Sequence, residues 1–540
     1  MDLIEKGLSE GLIKFDEDRT YITYIHQNKN RKYTNPEEKI QAETFLKLIL
    51  MYDYPVEHIR QFVDVKMGST TKEADIIVYK DDDHNKPYII VECKEQEVSE
   101  AEYEQAIDQA FSYGHATAQV VKYIWVTSGL KDNYYEFNKD EDIKKETPDI
   151  PQYGTTQLAK YKYVKGGKDQ NKVDDDGKDY SSQQFFELET VSEEELTRRF
   201  KQAHQALWAG GELNPSEAFD ELDKLIFCKI WDEKYTLDSS KKKFVPRQDG
   251  NPYQFQIFSE ETEEETIKNL YDRINAIYEV GKKKDPEVFK ENIRLSPQKV
   301  RTVVGYLESI SLSETDLDSK GRAFEAFMGS YFRGDFGQYF TPRNIVKFIV
   351  DVLPINNNSR LLDTSCGSGG FLLYALNKVR NQADEYYENN TIMHYKYWHD
   401  FAEKNLFGIE INEQIARTAK MNMIIHDDGH TNVISADGLK PSDQIRKDSD
   451  NKEFKENSFD FILTNPPFGS KIKQTEKAYL HQYNMAMNEA DWLDHRRNKD
   501  KIRASQSTEV LFIEQCYKFL KPGGYLAIVV PDGILTNSSM

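Results

Sequence analysis

The sequence of 540 residues has few cysteines and no long apolar run. The cysteines are widely spaced and form no CxxC pair, which argues against a disulfide framework and against a zinc site; they are Cys93, Cys228, Cys366 and Cys516. No stretch approaches about eighteen uncharged apolar residues, and acidic residues occupy the N-terminus where a signal peptide would be basic. We therefore predict a cytoplasmic protein that does not span a membrane.

Positive charge is outweighed by negative charge, since 71 Lys and Arg residues stand against 92 Asp and Glu residues and the formal net charge is -21 at pH 7. Binding to DNA or RNA relies on Lys and Arg that neutralise phosphates, so this charge taken alone argues against a nucleic-acid partner. Net charge sums over all surfaces, however, and a local basic groove can coexist with acidic clusters. The motifs therefore have to decide between these two interpretations.

Apolar and aromatic residues are plentiful, with 38% hydrophobic residues, 29 Phe and 32 Tyr. This composition excludes global disorder and can fill several cores. At one domain per roughly 100 to 200 residues, the length predicts about three or four domains. We place an α/β unit at 1–153, a polar linker at 154–184, a helical spacer at 185–317 and a second α/β unit at 318–540.

In the first α/β unit, Asn35 and Pro36 are a suitable cap and first-turn pair for a helix that continues with EEKIQAETFLKLIL. ADIIVYK and YIIVECK are typical of two strands separated by the polar turn DDDHNK. A helix over Glu100–Tyr113 and a strand at VKYIWVTSG complete this unit.

From Gly321 onward, apolar strands alternate with helical patterns. The predicted strands are SRLLDTSC, NLFGIEI, VISADG, FDFILTNPP and YLAIVVP. This order predicts a doubly wound parallel sheet, which places the protein in the α/β class.

A glycine-rich turn follows the first of these strands. Asp363 ends the strand, and Gly367, Gly369 and Gly370 lead into an apolar helix. Glycines let backbone amides approach a ligand, and acids at neighbouring strand ends can bind ribose hydroxyls or a cationic group. A packing turn and a dinucleotide site remain alternatives, although the spacing is not GxGxxG.

The tetrapeptide Asn465, Pro466, Pro467, Phe468 ends the strand FDFILT. Because prolines lack N–H groups and stiffen the backbone, the Asn465 side chain and the Pro466 carbonyl can be held as acceptors. An exocyclic amine of a flipped base needs such acceptors, and Phe468 can stack on the base. The alternative is a strand-terminating turn with a buried Phe.

With these motifs the C-terminal region resembles N6-adenine DNA methyltransferases of the type I restriction-modification M-subunit kind. The matching elements stand in the order of that family: GQYFTP ending at Pro342, DTSCGSGG from Asp363, GIEIN with Glu410, SADGL with Asp437, NPPF from Asn465, and LKPGG. The resemblance implies a Rossmann-like sheet, S-adenosylmethionine as cofactor and double-stranded DNA as substrate.

The resemblance also implies a role for each matching residue. Phe340, Thr341 and Pro342 would line the methionine end of the cofactor, Asp363, Gly367 and Gly369 would form its loop, Glu410 would hold the ribose and Asp437 the cofactor adenine. At the target, Asn465 and Pro466 would bind the N6 amine, Pro467 would stiffen the turn and Phe468 would stack on the base. Methyl transfer would be direct, without a covalent enzyme intermediate.

The chain stops at Met540, soon after the strand YLAIVVP, whereas the family continues with further strands. We expect either a fragment or a second polypeptide that completes the sheet. Sequence specificity would then come from a specificity polypeptide or from the missing region.

In the first α/β unit, Glu92 and Lys94 lie two residues apart on one strand and so point to one face. Asp75 on the adjoining strand can join them. Two carboxylates can hold Mg²⁺ while the lysine orients a water for attack on a phosphodiester. The alternative for so short a pattern is a pair of structural salt bridges.

The surrounding segment, about residues 30 to 135, resembles the N-terminal nuclease domain of type I restriction R subunits. The resemblance implies cleavage by Asp75, Glu92 and Lys94, with Asp75 and Glu92 as metal ligands. It suggests Glu38 or Glu43 as an extra acid and supporting roles for Gln109 and Tyr113, four residues apart on a helix.

No GxxxxGK motif followed by Ser or Thr occurs, so the ATP-driven motor of R subunits is absent from this sequence. A nuclease and a methylase without a motor resemble a combined, type IIG-like restriction-modification polypeptide. Two alternatives remain: a modification subunit with a non-cleaving N-terminal DNA-binding domain, and an inactive, truncated assembly component. Methylation of RNA or of protein glutamine is disfavoured because a nuclease domain favours DNA.

Overall fold

The protein is described by a computed structural model that covers residues 3–536. Within that range it does not describe residues 69, 118–120, 140–143, 156–157, 168–183, 210, 239–242, 285–290, 316–318, 320, 325, 328–340, 389, 427–431, 470, 474–477, 488–501 and 504. The chain forms two compact units: Met1–Val280 with Ile293–Phe327, and Gly281–Asn292 with Met328–Met540. Among the described helices, none is both long enough and apolar enough to cross a membrane.

A six-stranded mixed sheet is the centre of the first unit. In spatial order its strands are Ile59–Met67, Thr70–Tyr79, Pro87–Cys93, Tyr123–Thr127, Asp132–Phe137 and Lys144–Thr147. The predicted strands are confirmed, and the first and the last two were not predicted. Asp75 lies inside its strand rather than at the start, because the ladder to Ile59–Met67 extends the strand back to Thr70.

Two helices cover opposite faces of this sheet. Asn35 caps the helix Pro36–Leu50 through its side chain, and Ser99 forms a reciprocal capping box with Glu102 at the start of Glu100–Ala116. The first helix packs with Ile76 and Val91 and the second with the adjacent residues Ile77 and Ile90. This alternation follows from the two-residue period of a strand.

The helices of the predicted spacer lie in the same compact unit as this sheet, except for residues 281–284 at the end of one of them. They are Glu193–Trp208, Pro215–Lys234, Glu263–Lys284 and Pro297–Leu307, with a hairpin of Tyr235–Asp238 and Lys243–Pro246. Part of the predicted linker, 168–183, lies outside the described residues. In the preceding stretch, Lys162 is buried and its Nζ lies 3.1 Å from Asp149 Oδ1. Smaller elements of this unit are Leu3–Ser9, Ile13–Phe15, Tyr21–Tyr24 and Lys29–Lys32.

The second unit is built on five parallel strands, which confirms the predicted doubly wound sheet. Their spatial order is Asn432–Ser435, Leu406–Glu410, Leu361–Asp363, Phe459–Thr464 and Leu520–Ile528. The helices of this unit are Arg343–Val352, Gly370–Tyr387, Thr391–Asn405, Glu413–Ile425, Ser442–Asp448, Thr508–Phe519 and Asp532–Thr536. A short antiparallel pair joins Lys471–Lys473 to Ser505–Ser507. The strand order reverses beside Leu361–Asp363, which is where ligands bind in such sheets.

A buried ion pair joins the helix Pro297–Leu307 to the six-stranded sheet. Arg301 donates from Nε and Nη2 to the Glu146 carboxylate, which also accepts from Asn133 Nδ2 at 2.6 Å. The side chains of Arg301 and Glu146 are 9% and 4% exposed. Because removing one partner leaves the other charge buried, this pair fixes the helix on the sheet.

We predict that Glu146→Gln lowers the free energy of unfolding by about 3 kcal/mol, since Arg301 loses the nearer of its two carboxylate partners inside the protein and keeps only Glu308 at 3.8 Å. Urea unfolding measures the change. Glu5→Gln, which breaks the exposed pair with Arg19, is the control and should leave the urea midpoint unchanged. Equal midpoints for both variants would show that the buried pair is dispensable.

Candidate active sites

The carboxyl edge of the parallel sheet gathers polar side chains from neighbouring strands. Asp363 and Glu410 are the last residues of two adjacent strands, and Asn465 directly follows a third. Asp363 is 1% exposed and Glu410 is 5% exposed. These residues therefore line the reversal point of the strand order, where a cofactor is expected.

The glycine turn is tied to the two acids through backbone N–H groups. The N–H of Ser365 donates to Asp363 Oδ1 at 3.0 Å, and the N–H of Gly367 donates to Glu410 Oε2 at 3.1 Å. Gly367 has φ of 52°, and no described atom lies within 4 Å of where its Cβ would stand. The turn therefore leaves open space beside a left-handed residue, and glycine suits both conditions.

Burial raises the pKa of Asp363 to about 7, although hydrogen bonds from Thr464 and from the Ser365 N–H lower it. Burial likewise raises the pKa of Glu410, whose carboxylate accepts from the N–H groups of Asn412 and Gly367. Acids in such surroundings bind hydroxyl or cationic groups of a ligand well, because these groups supply the hydrogen bonds or charge that water no longer provides.

The tetrapeptide presents an acceptor and an aromatic ring. Asn465 donates from Nδ2 to Thr341 Oγ1 at 2.9 Å, while its Oδ1 is buried and accepts no hydrogen bond from the described residues. Pro466 is buried, and Phe468 is 45% exposed rather than packed in the core. An amine and a planar base are the kinds of group that this arrangement accepts.

The remaining residues that were predicted to bind the cofactor are Phe340, Pro342 and Asp437. Phe340 lies outside the described residues, and Pro342 is the N-cap of the helix Arg343–Val352. Asp437 follows the strand Asn432–Ser435 and accepts from the N–H of Leu439 at 3.0 Å. Sequence reasoning missed Ile411, a 66% exposed apolar residue that follows Glu410 and could contact a planar ring. The sequence signal that could have identified Ile411 is its position directly after an acidic residue at a strand end.

In the first unit, Lys94 joins two carboxylates. Lys94 Nζ donates to Glu92 Oε1 and to Glu37 Oε1, each at 2.9 Å. Asp75 Oδ2 accepts from the N–H of Cys93 at 2.7 Å, which holds Asp75 against the strand that carries Glu92. The structure thus brings the three residues of the predicted Asp, Glu and Lys motif to one end of neighbouring strands.

Gln109 and Tyr113 lie on one face of the helix Glu100–Ala116 and extend this cluster. Gln109 Nε2 donates to Glu92 Oε1 at 2.9 Å and to the Tyr113 hydroxyl at 2.6 Å, and that hydroxyl donates to the Glu73 carbonyl at 3.2 Å. Glu92 Oε2 is buried and accepts no hydrogen bond from the described residues. One carboxylate oxygen is thus positioned by the protein and the other remains available.

The electrostatics of this cluster favour a bound cation. Burial, and then the charge of Asp75, raise the pKa of Glu92, and burial also raises the pKa of Asp75. Although burial opposes it, the two glutamates raise the pKa of Lys94. Among the described residues, no three His, Cys, Asp or Glu side chains are grouped as a metal centre. Two carboxylates still fit Mg²⁺, which commonly keeps waters and substrate phosphates as its other ligands.

Glu37 is the acid that sequence reasoning missed. Of the two acids considered there, Glu38 accepts from the Tyr24 hydroxyl at 2.6 Å, and Glu43 is partly exposed. Burial raises the pKa of Glu38 to about 7. Adjacent helical residues differ by about 100° in direction, so the choice between Glu37 and Glu38 required the orientation of the helix.

The second unit is a Rossmann-like, doubly wound parallel sheet of the α/β class. Residues 315–540 match the family model of the N-6 DNA methylases, and residues 36–151 match that of the N terminus of type I restriction enzyme R proteins. The C-terminal part of the chain is thus similar to the N-6 DNA methylases, and the N-terminal part to the N terminus of type I restriction enzyme R proteins.

Two curated relatives illustrate these similarities. The type II restriction enzyme and methyltransferase RM.BcgI of Heyndrickxia coagulans is 26% identical over 252 residues, which are 46% of this chain and 32% of that protein. The type I restriction enzyme MjaIX methylase subunit of Methanocaldococcus jannaschii is 30% identical over 155 residues, 28% of this chain and 23% of that protein. The matched stretch spans less than half the length of either relative.

Similar solved structures include the type I restriction-modification methyltransferase subunit from Streptococcus thermophilus, at 18% identity and a TM-score of 0.38 over 64% of this chain and 76% of that chain. The type IIG restriction endonuclease BpuSI is similar over 94% of this chain and 53% of that chain, at 13% identity and a TM-score of 0.33.

The raised pKa of Asp363 predicts a pH dependence of stability. Between about pH 4 and about pH 7 the folded protein keeps a proton that the unfolded chain releases, so stability is full at low pH and declines as pH rises through this window. Asp363→Asn should remove this contribution, which is at most about 1.4 kcal/mol per pH unit. Urea unfolding of both proteins at several pH values measures the difference. If the free energies of unfolding of the two proteins change in parallel with pH, the pKa of Asp363 is not raised.

Proposed function

We propose that the chain is a restriction-modification protein that methylates adenine N6 in double-stranded DNA with S-adenosylmethionine and carries a Mg²⁺-dependent endonuclease in its first unit. The observation that carries the methyltransferase assignment is the buried acceptor Oδ1 of Asn465 at the carboxyl edge of the sheet, which receives no hydrogen bond from the described residues. The match of residues 315–540 to the N-6 DNA methylases supports the same chemistry.

In this proposal the glycine turn and the strand-end acids bind the cofactor. Gly367 and Gly369 would allow close approach of the backbone, Glu410 and Asp363 would accept from hydroxyl or cationic groups, and Asp437 would hold the cofactor adenine. When bound, S-adenosylmethionine supplies a methyl group on a positively charged sulfur. Pro342 would lie towards its methionine end; Phe340, to which the resemblance gives the same role, lies outside the described residues.

Asn465 and Pro466 would orient the target amine. Asn465 Oδ1 and the Pro466 carbonyl accept hydrogen bonds from N6, which aligns its lone pair with the methyl group and stabilises the positive charge that develops on nitrogen during attack. The proton lost from the methylated amine passes to water. Phe468, which is exposed, would stack on the flipped base, and Pro467 keeps the turn rigid.

In the first unit, Asp75 and Glu92 would hold Mg²⁺, and Lys94 would orient the attacking water. Gln109 keeps the Glu92 carboxylate in place through its hydrogen bond to Oε1. The match of residues 36–151 to the R-protein N terminus supports this assignment. A specificity polypeptide would supply recognition of the DNA sequence; several relatives are named as methylase subunits of type I restriction enzymes, which indicates that they act with further subunits.

We predict that Asn465→Ala reduces methyl transfer by about a hundredfold or more and leaves cofactor affinity nearly unchanged, because Asn465 faces the amine rather than the cofactor. Tritium transfer from S-adenosylmethionine to unmethylated genomic DNA measures the rate, and calorimetry measures cofactor affinity. Asn405→Ala, at the opposite edge of the sheet, is the matched control and should remain active. Wild-type methylation by the Asn465 variant would refute the assignment.

We predict that Glu92→Gln abolishes Mg²⁺-dependent cleavage and leaves methylation intact, because it removes a charge from the metal site with little change in shape. Glu136→Gln, on an exposed part of the same sheet, is the control. Nicking of unmethylated plasmid and adenine methylation are scored in parallel. If the Glu92 variant cleaves as well as the wild type, the carboxylates are structural and the chain is a methyltransferase alone.

A further inference from the structure

The two ends of the Asn465 carboxamide have different surroundings. Nδ2 donates to Thr341 Oγ1 at 2.9 Å, whereas Oδ1 is buried and accepts no hydrogen bond from the described residues. A buried acceptor that lacks a donor costs free energy, so Oδ1 is placed to receive a donor that arrives with a ligand.

The backbone around Asn465 is held on both sides. Before it, the Thr464 carbonyl accepts from the N–H of Val529 at 3.0 Å, and after it the Pro467 carbonyl accepts from Thr508 Oγ1 at 2.9 Å. Two prolines further restrict the chain. The main freedom that remains is rotation of the Asn465 side chain, and Thr341 is the described partner that restrains it.

Thr341 is itself fixed in the second unit. The next residue, Pro342, accepts through its carbonyl from the N–H of Val346 at 3.1 Å at the start of the helix Arg343–Val352. That helix packs through the buried residues Val346 and Val350 into the core that also contains the glycine-turn residue Cys366. The Thr341 hydroxyl is therefore a rigid reference point for the Asn465 amide.

We propose that Thr341 is a positioning residue for the target amine: its hydroxyl oxygen holds Nδ2 so that Oδ1 of Asn465 faces N6. This inference rests on the proposed adenine-N6 methyltransferase function. It differs from the role that the family resemblance implies, in which Thr341 lines the methionine end of the cofactor.

The chemistry of the amine explains why the orientation matters. The N6 amine presents N–H donors, so it binds the Oδ1 end of the amide and is repelled by the Nδ2 end. Once the amide is free to rotate, only part of the population presents its acceptor. Loss of the Thr341 contact should therefore slow methyl transfer without weakening the cofactor.

The test compares Thr341→Val, which removes the hydroxyl at nearly constant shape, with Thr341→Ser, which keeps it. Thr418→Val is the matched control, because Thr418 is a buried threonine whose hydroxyl bonds only within its own helix. Kinetics of tritium transfer to unmethylated genomic DNA give kcat, and calorimetry gives the affinity for S-adenosylmethionine.

We expect Thr341→Val to lower kcat about tenfold and to change cofactor affinity less than about twofold, with Thr341→Ser and Thr418→Val close to the wild type. A loss of cofactor affinity of about tenfold or more in Thr341→Val, or an unchanged kcat, would overturn the inference and leave the proposed function standing. Absence of transfer by the wild type would overturn the proposed function and the inference with it.

A second measurement detects the hydrogen bond between Asn465 and Thr341 without relying on catalysis. The ¹⁵N side-chain amide signal of Asn465, identified by its loss in Asn465→Ala, should move in Thr341→Val and stay in place in Thr418→Val. An unmoved signal in Thr341→Val would show that the hydrogen bond is absent, and the inference would fall.

Discussion

The shared direction of the five strands in the second unit is the constraint on which its chemistry depends. Parallel strands place their carboxyl ends along one edge, so Asp363, Glu410 and Asn465 lie close together although they are far apart in the chain. The reversal of strand order beside Leu361–Asp363 opens a crevice between the connecting helices. The glycine turn then brings backbone N–H groups to the two acids.

The cluster in the first unit is constrained differently, because its carboxylates are buried and must still be able to bind a ligand. Burial and mutual repulsion favour protonation of Asp75 and Glu92. Lys94 partly offsets this effect, and a divalent cation would do so fully. Gln109 and Lys94 both bind Oε1 of Glu92 and leave Oε2 available. In both candidate sites, one polar atom of a side chain is held by hydrogen bonds and the second polar atom of the same side chain is left for a ligand.

Much of both sites could be predicted from the sequence, because their motifs are contiguous. The glycine turn, the tetrapeptide, and the Glu92 and Lys94 pair depend on spacing within one strand or turn. Contacts between distant segments could not be predicted: Thr341 and Asn465 are separated by 124 residues, and Glu146 and Arg301 by 155.

Some features that involve only residues near one another in the chain were also not predicted. The strand Asp132–Phe137 was missed because its sequence DNYYEF lacks a clear alternation of apolar and polar residues. The choice between Glu37 and Glu38 depended on the rotation of one helix against the sheet. The helix Pro297–Leu307 is tied to the first sheet by the buried pair of Arg301 and Glu146, which a hydrophobic pattern does not reveal.

Transfer of a methyl group to adenine N6, the function proposed for the second unit, can be followed by tracing that methyl group. The wild-type chain is incubated with S-adenosylmethionine carrying a deuterated methyl group and with unmethylated genomic DNA, and the digested nucleosides are separated by mass spectrometry. If the second unit has the proposed function, the label appears in N6-methyladenine. Label in methylated cytosine, or none in any nucleoside while the cofactor is bound, would contradict it.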